Sequence, residues 1–176
     1  MNKQNLLTVF LAFGFFAIVG FWLFDKFFVA TKYVYVQHAD SGSLVPMDGG
    51  NLYKLSLTGP SSQLINFLDK PERLVFSVTI DDFLDAWKGL AKVDENLFPI
   101  NVAIEIPDAD SSGDVVTGML SGPVYNENSN IITYDFVIDE KPLGGALALF
   151  DERRDARIPE NFAEVNVYID SSVYVP

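Results

Sequence analysis

Nineteen consecutive residues near the start of the chain, Leu6 to Phe24 (LLTVFLAFGFFAIVGFWLF), carry no charge. As a helix rising ~1.5 Å per residue they extend about 28 Å, close to the ~30 Å hydrocarbon core of a bilayer. Thirteen of them are Leu, Ile, Phe or Val. Each of these favours insertion by roughly 0.3–0.6 kcal/mol near a helix centre, on the order of 4–8 kcal/mol together. The sequence therefore predicts a single transmembrane anchor over residues 1–30, a juxtamembrane segment and linker over 31–50, and an extracytoplasmic domain over 51–176. A cleaved secretory signal fits less well. It needs an apolar region of about 7–15 residues and a small-x-small site, whereas Phe28-Val29-Ala30 places a bulky Phe where a small residue belongs.

A short tail ahead of the apolar run and a long domain behind it predict a cytoplasmic N-terminus and a periplasmic or extracellular C-terminal domain. Trp22 and Phe27-Phe28 suit the outer interface, where aromatic rings collect. Gly14, Ala17 and Gly20 fall within an arc of about 120° on a helix. This is a small-residue strip where a second membrane helix could approach, although such residues also occur in plain anchors.

Charge narrows the partners. Beyond Phe27 there are ten basic and twenty-three acidic residues, a net −13. Such a surface repels nucleic acid and anionic headgroups, so nucleic-acid binding is excluded, and the expected partners are the bilayer and other membrane-protein subunits. The absence of cysteine removes disulfides and thiol chemistry.

The domain alternates. Tyr53, Leu55 and Leu57 share a face, as do Leu74, Phe76, Val78 and Ile80, then Val102, Ile104 and Ile106. Val116 to Leu120, Ile132 to Ile138 and Val165 to Ile169 follow. Period-two apolar patterning bounded by Gly, Pro, Asn and Asp is the strand signature. Asn126 to Asn130 (NENSN) has hairpin-turn composition, and Ser41 to Gly50 (SGSLVPMDGG) reads as a linker or turn. One helix interrupts the strands, capped by Thr79 with Asp82 three residues on. Its apolar stripe is Ile80, Phe83, Leu84, Trp87, Leu90 and Ala91. The expected fold is mainly β: an antiparallel sandwich of about seven or eight strands with one short helix, preceded by the membrane helix.

Six landmarks carry a resemblance. In order they are Gly59-Pro60-Ser61, Phe67-Leu68-Asp69-Lys70-Pro71-Glu72-Arg73, Phe83 to Trp87, Pro99-Ile100-Asn101-Val102-Ala103, Gly122-Pro123-Val124-Tyr125 and Val167-Tyr168-Ile169-Asp170. Their order resembles a family of small secreted bacterial and archaeal β-sandwich proteins, with Lys70 in place of Arg and Ile100 inserted. The resemblance implies a fold and an extracytoplasmic location, with this chain a tethered version. It carries no activity.

Three stretches attract chemical readings. Asp108, Asp110, Ser112 and Asp114, with Gly113 between, place oxygen ligands as calcium loops do. Met119 stands where the bidentate Glu belongs, and a solvated hairpin tip demands the same residue types. Calcium is thus the one cofactor the sequence suggests. Asp69, Pro71 and Arg73 read as a structural turn, Asp69 accepting backbone N–H groups. Pro142 to Phe150 (PLGGALALF) and Asp151 to Arg157 (DERRDAR) place Leu147, Leu149, Phe150, Arg153, Arg154 and Arg157 together. They form either a partner surface or an apolar loop tucked under the domain with a charged cap. His38, the single histidine, stands apart in sequence from acidic or Ser clusters, and no nucleophile-elbow, P-loop or Rossmann pattern occurs. The functional expectation is a non-enzymatic accessory or structural subunit of an envelope membrane-protein complex. The alternatives are a calcium-stabilised adhesion or recognition module and a hydrolase using acidic residues.

Overall fold

The longest strand starts where Tyr33 to Val36 suggested either a first short strand or a juxtamembrane segment. In the computed structural model, which describes residues 33–47, 50–68, 74–93, 99–107, 115–139, 141, 143, 145–153 and 159–171, β1 runs from Tyr33 to Pro46. It is followed by β2 (Leu52–Pro60), β3 (Gln63–Leu68), β4 (Val75–Thr79), helix α1 (Ile80–Val93), β5 (Ile100–Glu105), β6 (Val115–Asn126) and β7 (Ile131–Ile138). A 3-10 segment (Gly145–Arg153), β8 (Asn161–Phe162) and β9 (Val165–Ser171) complete the order.

β1 is paired along both edges. One edge holds β2 (Ala39↔Pro60 to Pro46↔Tyr53) and then β3 (Tyr33↔Leu68 to Val36↔Ile65). The other holds β9 (Tyr33↔Ser171 to Ala39↔Val165) and then β8 (Gly42↔Phe162). From β2 the ladder continues through β7, β6 and β5 back to β9, every pair antiparallel. The circuit β1-β2-β7-β6-β5-β9 therefore closes. The domain is a six-stranded antiparallel barrel with β3, β4 and β8 as additions, and the expected β-sandwich is incorrect.

The reason lies at Asp40-Ser41. Before them the buried residues of β1 are odd-numbered (Tyr33, Tyr35, Gln37, Ala39); after them Leu44 is buried. The strand turns its inner face by one residue, so its period-two pattern breaks in mid-strand. Gly42 marks a close approach rather than a turn, because a Cβ there would overlap the Phe162 ring across the ladder. Read as a linker, this stretch left two open sheets; as a strand, it joins them. A second irregularity, the register shift between Ser121 and Val124 with Gly122 at φ 57°, bends β6 around the barrel.

The other elements follow their local chemistry. Thr79 Oγ1 accepts the Asp82 N–H at 3.1 Å and donates to its carboxylate at 2.7 Å, opening α1. The Asn126 side chain accepts the backbone N–H of Asn128 at 3.1 Å in the turn between β6 and β7. Phe83 and Trp87 of α1 pack edge-on at 5.6 Å, Phe83 meets Tyr35 at 5.4 Å, and Trp87 lies 6.3 Å from Tyr134. Inside the barrel the Tyr134 hydroxyl donates to Gln37 Oε1 at 2.6 Å, and burial pushes its pKa above the usual phenol value. Eight strands leave an interior just wide enough for side chains to fill. Six leave less, so the interior is packed core rather than a ligand cup.

Among the described residues no helix is long and apolar enough to cross a membrane. The expected anchor, with Gly14, Ala17 and Gly20, falls in residues 1–30, outside the described residues.

Candidate functional site: the outer face of the barrel

With the interior filled, what the domain offers to other molecules lies on its outer face. Strand alternation decides which residues reach it. Val165, Val167 and Ile169 point inward on β9, so Asn166, Tyr168 and Asp170 point outward. Cross-strand pairing then sets His38 beside Asn166 and Asn166 beside Glu105, one polar row over β1, β9 and β5. His38 Nδ1 lies 3.2 Å from Asn166 Oδ1 and 3.9 Å from Glu164 Oε1. The fold thus brings His38 beside Glu164, a carboxylate from the far end of the chain.

The 3-10 segment lies over β5, β6 and β9. Beneath it Ala103, Val115, Leu143 and Leu147 form a small second core, with Val34, Phe150 and Tyr168 packed against it. Phe150 and Tyr168 stack with centroids 4.6 Å apart. Arg153, the last residue of the segment, donates to Glu105 Oε1 at 2.7 Å, and the Tyr168 hydroxyl donates to Glu105 Oε2 at 2.9 Å. Burial alone would raise the Glu105 pKa, but the bonds from Arg153 and Tyr168, the Arg153 charge and Asn166 outweigh it and hold the carboxyl below its ordinary 4.5. Burial and the Glu105 carboxylate together push Tyr168 up to about 12. An ionised carboxylate with both oxygens occupied is a poor proton acceptor, so Glu105 acts as the fastener of the segment.

This arrangement divides the residues that the sequence grouped as a partner surface. Leu147 is 1% exposed and belongs to the second core, Phe150 is half-buried on Tyr168, and Arg153 is held by Glu105. Leu149 is 83% exposed. Arg154 and Arg157 lie outside the described residues, as do Asp108, Asp110, Ser112 and Asp114 of the calcium reading and Asp69, Pro71 and Arg73 of the turn. Among the described residues no group of three or more His, Asp or Glu side chains could hold a metal ion.

Sequence reasoning missed Glu105, Asn166 and Tyr168. Their outward phase was available from the alternation of β5 and β9; their convergence was not, since Glu105 and Arg153 stand 48 positions apart. A second exposed area lies on the β3–β4 hairpin, where Ile65, Phe67, Leu74 and Val75 are open to solvent. No protein-family model, no curated protein and no solved structure matches the chain.

Proposed function

We propose that this chain is a membrane-anchored accessory subunit of an envelope membrane-protein complex. The uncharged run Leu6–Phe24 holds it in the bilayer with the N-terminus cytoplasmic, and the barrel stands outside and binds a partner subunit through its outer face. The observation that carries the binding role is Leu149, a large apolar side chain left open to solvent on a segment otherwise fastened by Glu105–Arg153 and Phe150–Tyr168. An exposed leucine on a rigid platform presents apolar area without an ordering cost on association. Two further features support a binding role: the interior is core, and Glu105, whose pKa is depressed, is engaged on both oxygens.

The test is extraction of the full chain in a mild detergent followed by native mass measurement. A defined complex above the monomer mass is expected, and Leu149→Asp dissociates it without altering the melting temperature of the barrel. A lone monomer overturns the proposal.

A further inference from the structure

The β3–β4 hairpin is the one place among the described residues where a continuous apolar sheet face is left open. Directly paired residues share a face. The row Val34–Phe67–Val75 and the row Val36–Ile65–Ser77 therefore lie side by side over three strands. Phe67, Ile65 and Val75 on these rows are exposed, and Leu74 adjoins them. β4 is also the free end of the strand order. Its sequence, VFSVT, carries none of the charges or prolines that normally protect an edge strand. On the opposite face β3 is engaged, with Leu64 and Asn66 buried, while on β4 Phe76 meets Tyr33 edge-on at 6.4 Å and stays 38% exposed.

The chain itself indicates the occupant. The first residue of β1, Tyr33, pairs with Leu68, the last residue of β3. The chain therefore joins the barrel beside the closed end of this hairpin. Eight residues, 25–32, separate Phe24 from Tyr33, a link of at most about 30 Å even when fully extended. Charge agrees. In sequence, Lys32 precedes Tyr33, and Lys70 and Arg73 accompany Asp69 and Glu72 between Leu68 and Leu74, a net positive set in a chain that is −13 overall beyond Phe27.

We propose that the outer face of the β3–β4 hairpin, with Ile65, Phe67, Leu74 and Val75, is a second lipid contact that seats the barrel on the bilayer surface. This rests on the anchored reading above and adds the orientation of the domain. The contact need not be strong. A short link makes docking intramolecular, at an effective concentration in the millimolar range, so a handful of half-exposed side chains is sufficient. Each inserts its apolar end at the headgroup boundary, where amphipathic surfaces settle.

The absence of native cysteine permits a direct test on the full chain in phosphatidylcholine vesicles that carry a nitroxide on the acyl chain. Single variants Val75→Cys and Val124→Cys are labelled with an environment-sensitive fluorophore. The two sites are equally exposed, 62% each, and Val124 sits in the irregular part of β6. Trp22 serves as an internal reporter of the anchor, because the other tryptophan, Trp87, is buried in the domain. The expected result is loss of most of the emission at position 75, little at position 124, and quenching of Trp22. If position 75 behaves like position 124 while Trp22 is quenched, the anchor stands and the hairpin contact is overturned. If Trp22 escapes quenching, the anchored reading falls and the hairpin contact falls with it. If position 75 escapes quenching but shows a blue-shifted emission that disappears on dilution of protein into excess lipid, a second copy paired along β4 is the occupant, and the lipid contact is again overturned.

Discussion

Two areas of the outer barrel face start from the same chemistry and end differently. Over β5 and β9, apolar residues such as Ala103 are roofed by the 3-10 segment and removed from water. Over β3 and β4, Phe67 and Val75 remain open. What separates them is a fastener. The roofed area has Glu105 to receive both Arg153 and Tyr168, whereas the open area ends in β4, an edge strand paired on one side by β3. The first area is finished within the domain. The second is apolar surface with a free backbone edge.

The most disruptive way to probe this contrast is to remove Leu147, the buried keystone of the roofed side. Leu147→Ala costs about 2–5 kcal/mol, the range of a buried Leu truncation, measurable as a lower denaturant midpoint at constant slope. Leu149→Ala, two residues on, stays within about 0.5 kcal/mol, and an equal loss at both positions would erase the distinction drawn between them. Next comes the fastener. Glu105→Gln gives up a charge-assisted bond to a half-exposed arginine and costs about 1 kcal/mol. Because the folded pKa of Glu105 is depressed, its contribution is complete above the ordinary 4.5 and fades as pH falls through the folded value. The melting-temperature gap between wild type and Glu105→Gln should accordingly narrow as pH falls below 4.5 and close once it passes the folded value.

Tyr168 gives the opposite limb. Its pKa is raised to about 12, so the stabilisation is full below the unfolded value of 10 and is lost as pH rises through the folded one. Tyr168→Phe should flatten this alkaline decline in a thermal-melt series, a smaller effect because Tyr35, also raised to about 12, remains. The smallest expected change lies on the open side. Val75→Thr, on an exposed edge strand, shifts the unfolding free energy of the barrel by less than about 0.5 kcal/mol. A loss above 1 kcal/mol would mean that the hairpin face already has a cover within the domain.

Much of the barrel wall was legible from period alone. Leu55, Leu57, Val102, Ile104, Ile132, Tyr134 and Phe136 alternate as strands do and are buried, and the Thr79–Asp82 cap opens the helix at the expected residue. The closure of the sheet was not legible. It depends on β1 continuing through Asp40-Ser41, where the inner face changes phase and Gly42 accommodates Phe162. A local reader meets Ser, Gly and Pro there and sees punctuation. The outer site failed for another reason. Leu147 and Leu149 are indistinguishable in the string ALALF, and their separation into roofed and open rests on distant partners: Ala103 and Val115 beneath the segment and Glu105 at its end. Long-range pairing leaves no trace in the residues immediately around either partner.

The double pairing of β1 has a mechanical meaning. A pull along the chain ahead of Tyr33 enters a strand gripped on one edge by β3 and β2 and on the other by β9 and β8. Directed along the strand, such a load is borne in shear by both ladders at once, so many backbone hydrogen bonds share it instead of opening one after another. β1 is thus a firm handle, placed where any tension from the leading segment arrives.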